Sequence, residues 1–168
     1  VVGTRGPPLV EAAAAGRSEA VARLLAAGAD PNGARADGRT PLMVGARDPA
    51  VVRALLGAGA EADRAMVSGW TPLMAAARSS AESVGLLLAA GAPVGAAMHS
   101  SRETAVHQAA RMGRADVLEV LIAAGADTQG RTRTPQGEGD RPIDLARAGP
   151  HADAVQLLEA AAARGVEP

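Results

Sequence analysis

The chain has 168 residues and a formal net charge of −1, with 17 basic residues, all Arg, against 18 acidic ones, and it holds no Cys, Phe or Tyr and a single Trp. That composition excludes a disulfide scaffold and an aromatic core, and the lack of a cationic surplus argues against a domain devoted to the phosphate backbone of nucleic acid. No run reaches the eighteen or so uncharged apolar residues of a membrane span, because Arg, Asp or Glu interrupts each one.

Alanine supplies 42 residues, so close-packed small side chains with Leu and Val between them must make the core, which favours helices. Together with the absence of Lys, the Ala and Gly excess reads as the codon signature of a GC-rich, bacterial genome. The start, Val1-Val2-Gly3-Thr4-Arg5-Gly6, has neither an apolar signal core nor an initiator Met. A cytoplasmic location is expected, with a truncated or processed N-terminus.

In chain order, a first short helix is predicted from Pro8 to near Gly16, and a second runs to Leu24-Leu25 before Gly28 stops it. The polar stretch Asp30-Pro31-Asn32-Gly33-Ala34-Arg35-Ala36-Asp37-Gly38-Arg39 suits a projecting turn, here termed a finger. The same unit then returns. Thr40-Pro41-Leu42-Met43 opens a helix ending near Asp48, Thr71-Pro72-Leu73-Met74 one ending near Ser79, and Thr104-Ala105-Val106-His107 one ending near Gly113, with degenerate copies at Pro7-Pro8-Leu9-Val10 and Arg141-Pro142-Ile143-Asp144. Thr can cap each helix through its hydroxyl while Pro takes the first helical position, where a missing N–H costs nothing. The second residues of these markers, 8, 41, 72, 105 and 142, are 33, 31, 33 and 37 apart. A second marker keeps the same phase: Leu24-Leu25 to Gly28, Leu55-Leu56 to Gly59, Leu87-Leu88 to Gly91 and Leu121-Ile122 to Gly125.

Two markers at one period show a repeat array. These motifs resemble the ankyrin repeat family, whose pattern is a unit of about 33 residues with Thr-Pro-Leu-His. The resemblance runs from Pro7 to about Arg164 and implies a single domain over 1–168, an all-α solenoid of helix-turn-helix repeats with β-turn or hairpin fingers. The repeats fall at about 7–36, 37–67, 68–98, 99–131 and 132–165, the end ones acting as caps. From Thr40 to Gly59 the second repeat is two residues shorter, and from Thr71 to Gly91 the third is one shorter, than the 21-residue interval from Thr104 to Gly125. These deletions are expected in the turn between helices. The fingers before Thr104 and Arg141 are longer than the first, by one and four residues, and the last makes a loop around Thr132–Gly139.

Such a stack implies a concave face of fingers and first helices that contacts a partner. Positions just before the motif place Arg39, Trp70 and Glu103 there, and further out on the fingers lie Arg35, Met66, Met98, His99 and Arg102. On the first helices Arg47, Arg78 and Arg111 form an expected ladder, either a fork for carboxylate or phosphate or a solubilising face paired with acids such as Asp48 and Glu103. Trp70, the only large aromatic, is placed at a finger tip as a binding anchor. Met43 and Met74 are expected in the core, and His107, at the motif histidine position, as a bridge between neighbouring turns.

The function expected is non-catalytic protein–protein recognition in a scaffold role, with an acidic segment as the natural partner. The alternative is a small-molecule binder or unusual enzyme using His99 and Glu103 as polar groups in the same groove, with a small anionic ligand. The three His have no metal-site spacing, so no metal, cofactor or catalytic residue is assigned, and a monomer that binds neither nucleic acid nor membrane is expected.

Overall fold

Each inner helix opens at an extended residue that leads into a short apolar turn, and the computed structural model, which describes residues 7–164, repeats this opening five times. The inner helices are α1 (Pro8–Ala14), α3 (Pro41–Gly45), α5 (Pro72–Ala76), α7 (Ala105–Arg111) and α9 (Pro142–Arg147). Their outer partners are α2 (Ser18–Ala26), α4 (Pro49–Gly57), α6 (Ala81–Ala89), α8 (Ala115–Ala123) and α10 (Ala152–Arg164).

The expected caps form. The Thr40 hydroxyl accepts the Met43 N–H at 3.3 Å, and that of Thr71 accepts the Met74 N–H at 3.2 Å. Where Arg141 replaces Thr, the carboxylate of Asp144 reaches back to accept the Arg141 N–H at 3.0 Å. Gly28, Gly59, Gly91 and Gly125 follow the ends of α2, α4, α6 and α8 with φ between 81° and 88°, the left-handed conformation that terminates a helix.

Helices this short are not stable alone, so the array depends on lateral packing. Inner helices pack in sequence, α1 on α3, α5, α7 and α9, and outer ones likewise, α2 through α10. Leu9, Leu42, Leu73, Val106 and Ile143 form one buried column, and Leu55, Leu87, Leu121 and Leu158 another. Among the described residues no helix is long and apolar enough to cross a membrane.

The deletions do not fall where the sequence placed them. Three residues link α1 to α2, α3 to α4, and α7 to α8, and four link α5 to α6. No turn is shortened, and the one after α5 is a residue longer. The loss is taken from the inner helices, α3 and α5 having five residues against seven in α1 and α7. A turn of three residues already reverses the chain and must still supply the outer helix's cap, as Asp48 does by accepting the N–H of Ala50 at 2.9 Å. Removing helix is therefore the less strained course. In α3 the close approach of α4 needs Gly45: a Cβ there would sit 2.6 Å from Val51 Cγ1 and 3.2 Å from Ala13 Cβ.

The fingers are closed by backbone bonds between opposed positions, Arg35 N–H to Arg39 O at 2.9 Å, Met66 N–H to Trp70 O at 2.8 Å and Met98 N–H to Glu103 O at 2.8 Å. The fourth, expected as a loop, is a small hairpin, β1 (Arg133–Thr134) against β2 (Gly137–Glu138), antiparallel with Arg133 opposite Glu138.

Candidate functional site

The shortened α3 and α5 leave a depression on the concave face, a groove of about 710 Å³ running from the end of α1 to Met112 just beyond α7. Seven of the eleven residues chosen from the sequence line it: Arg35, Arg39, Arg47, Met66, Trp70, Arg78 and Met98. His99, Arg102, Glu103 and Arg111 do not.

Trp70 is not at a finger tip. The tip of the second finger is Val67-Ser68-Gly69, and Trp70 stands at its base opposite Met66, half-buried and packed against the core. One edge of the indole is thus braced while another faces the groove, an arrangement that costs little side-chain entropy on binding. Met43, expected only in the core, is 5% exposed yet also lines the groove, with Met66, Met98 and Met112 around it. The groove wall is soft, polarisable and apolar.

The charges around that wall are of one sign, because every ionisable residue lining it is Arg. Arg35 reaches Glu11 on α1, while its Nε is buried with no partner among the described residues. Arg39 lies 3.4 Å from Asp37, an exposed pair that contributes little. Arg47 and Arg78 are exposed and meet no carboxylate among the described residues. The acid expected to neutralise Arg47, Asp48, is occupied at the start of α4.

The Arg ladder is therefore broken. Because α3 and α5 end early, Arg47 and Arg78 sit in the turns beyond them, whereas Arg111 is the last residue of α7. Arg111 is also spent: it pairs with Glu103, whose carboxylate accepts the Gln108 amide at 2.7 Å as well. The solubilising reading holds for Arg111 and fails for the other two. The same contacts commit Glu103, and His99 lies exposed on the finger with its ring against Gly69, no hydrogen bond joining it to Glu103.

His107 does bridge turns. Its Nδ1 accepts from the Thr104 hydroxyl at 2.9 Å and its Nε2–H donates to Gly130 O at 3.1 Å, 23 residues on. Burial holds its pKa below the usual value, the nearby Glu103 and the Gly130 bond offsetting this only in part. Among the described residues no group of His, Asp and Glu could hold a metal ion.

Sequence reasoning missed Met43, Met112, Val44 and Ala75 as groove residues. Their signal was the pair of deletions, which marks the two repeats over which the concave face is hollowed.

Comparison with known proteins agrees with this architecture. A family model for ankyrin repeats (three copies) matches residues 9–97 and 46–132. The chain is similar to mouse cyclin-dependent kinase 4 inhibitor B, with 34% identity over 159 residues covering 95% of each chain. It is also similar to the rat protein of that name, 35% over 153 residues and 91% of each chain. Human cyclin-dependent kinase inhibitor 2A is 35% identical over 154 residues, 92% of this chain and 76% of the relative.

Proposed function

The chain belongs to the ankyrin repeat family, and on that footing we propose that it is a non-catalytic recognition module whose groove over α3 and α5 receives an acidic segment of another protein. One observation carries this reading: among the described residues Arg47 and Arg78 meet no carboxylate partner beside Trp70 and the Met wall, and no acidic residue lines the groove. Unpaired like charges do not help folding. They match a partner that brings carboxylates flanking an apolar side chain, the carboxylates meeting the guanidinium forks and the apolar group meeting Trp70, Met66 and Met98.

Because the relatives are named as inhibitors of cyclin-dependent kinases, protein kinases are the first partner class to present to the groove. The relatives are mammalian, and a GC-rich bacterial source is a reading of the Lys-free composition alone. A cytoplasmic, monomeric scaffold is the setting that suits such a module.

Binding of purified candidate kinases, and of proteins recovered from the source extract, is to be measured with the wild type, Trp70→Ala, the double variant Arg47→Glu with Arg78→Glu, and Arg23→Glu on the outer face as control. Trp70→Ala should weaken binding by about 2–4 kcal/mol. The double reversal should slow association and flatten its dependence on salt, with the control unchanged. A partner bound equally by all four proteins would refute the assignment of the groove. If no protein binds while a small anion raises the melting temperature, the small-ligand reading takes its place.

A further inference from the structure

We propose that the cleft between the third and fourth fingers binds a phosphate monoester, independently of the groove over α3 and α5. This cleft, of about 530 Å³, collects the side chains of Arg102, Gln129, Arg131, Thr132, Arg133 and Glu138. Its assembly is long-range: the Arg133 N–H donates to Ser101 O at 2.6 Å, fastening strand β1 of the fourth finger to the third and setting Arg102 beside Arg133.

Three cations meet one carboxylate there. Arg131 lies 3.6 Å from Glu138, whose side chain is 83% exposed, so that pair is weak and leaves the guanidinium available. Arg131 Nη1 also donates to Gly139 O at 3.1 Å, which fixes the guanidinium at the cleft wall and leaves its remaining N–H groups for a ligand. Arg102 and Arg133 have no side-chain partner among the described residues. The uncompensated charge is thus about two, matching the −1.5 to −2 of a phosphate monoester at neutral pH. Three planar forks lining one cleft suit a tetrahedral anion with three free oxygens better than a flat carboxylate with two. An isolated cleft on a chain of net charge −1 does not track a nucleic-acid backbone.

Arg102 supplies a separate argument. It is the one described non-Gly residue with positive φ, 57°. In the first two fingers the residue before the closing position is Gly38 (φ 84°) or Gly69 (φ 85°), each donating its N–H to the carbonyl three residues back, while Arg102, in a finger one residue longer, donates to Met98 O four back. Arg pays a backbone strain there that Gly avoids, and a strained residue persists where its side chain has a use. The side chain's direction into the cleft is that use.

The test is an NMR titration of the full chain's backbone amides at constant ionic strength with inorganic phosphate, glycerol phosphate, a short phosphoserine peptide and the unphosphorylated peptide. The amides of residues 101–102 and 129–138 should shift with each phosphate and not with the unphosphorylated peptide or added chloride. Arg102→Gly and Arg133→Gln should each weaken binding about tenfold. Arg102→Gly should at the same time melt at a higher temperature than the wild type, so its loss of affinity cannot come from misfolding. Tighter binding of the phosphopeptide than of glycerol phosphate would assign the site to a modified protein chain, and the reverse to a small metabolite. The proposal is overturned if no phosphate shifts these amides, or if both variants bind phosphate as well as the wild type.

Discussion

Ser83 on α6 is buried completely, its hydroxyl has no hydrogen-bond partner among the described residues, and its replacement by Ala should stabilise the protein. The same place on the neighbouring outer helices holds Val51 and Val117, both fully buried. The cap of α6 does not need Ser83, because it is Ser80 Oγ that accepts the Ser83 N–H, at 3.1 Å. An unsatisfied buried hydroxyl costs about 1–3 kcal/mol. Ala adds a few tenths in helix propensity, and removing one oxygen costs less than about 1 kcal/mol in lost packing. The net expectation is about 1–2 kcal/mol of added stability, or roughly 2–6 °C in Tm for a chain of this size. Urea unfolding followed by far-UV circular dichroism and by Trp70 fluorescence should show a higher midpoint with an unchanged slope. Two probes are needed because a repeat array can unfold in segments. Ser80→Ala should move the midpoint the other way by about 1 kcal/mol, through loss of the cap. A Ser83→Ala midpoint equal to or below that of the wild type would refute the reasoning, since it would mean that the hydroxyl is satisfied.

Two further outcomes follow from the packing and the buried histidine. Gly45→Ala should destabilise by about 1–3 kcal/mol in urea unfolding, because the new Cβ meets Val51 Cγ1 at 2.6 Å; an unchanged midpoint would show that α3 and α4 are not packed as closely as described. His107 has a folded-state pKa below its unfolded value, so its neutral form is the one that folding favours. The stability it confers is complete above about pH 6.5 and falls as pH drops through the unfolded value toward the folded one. His107→Gln should flatten the pH dependence of the urea midpoint over that window, and a wild-type slope in the variant would place the titrating group elsewhere.

Much of this protein is local, and the local part was legible in the residues. The period, the phase, the Thr caps at Thr40 and Thr71 and the stops at Gly28, Gly59, Gly91 and Gly125 are contacts between residues a few positions apart, so spacing alone reveals them. His107 was legible too, since its motif position recurs and its partner Gly130 lies one repeat on. The placement of the deletions was not. Counting residues shows that α3 and α5 belong to shortened repeats, but whether helix or turn gives way depends on how closely α4 can approach across Gly45.

The candidate site divides in the same way. From its sequence alone the chain determined a stack of helix pairs with Arg, Met and Trp on the concave side, because periodicity assigns residues to faces. Only the tertiary structure decided which of those residues act together. Arg35 finds Glu11 on the first repeat, Arg111 finds Glu103 on the preceding finger, and Arg47 and Arg78 find no carboxylate among the described residues. The physical reason is that an ion pair needs its atoms within about 4 Å, and that distance is set by the packing of one repeat on the next, a relation to which no single repeat's pattern refers.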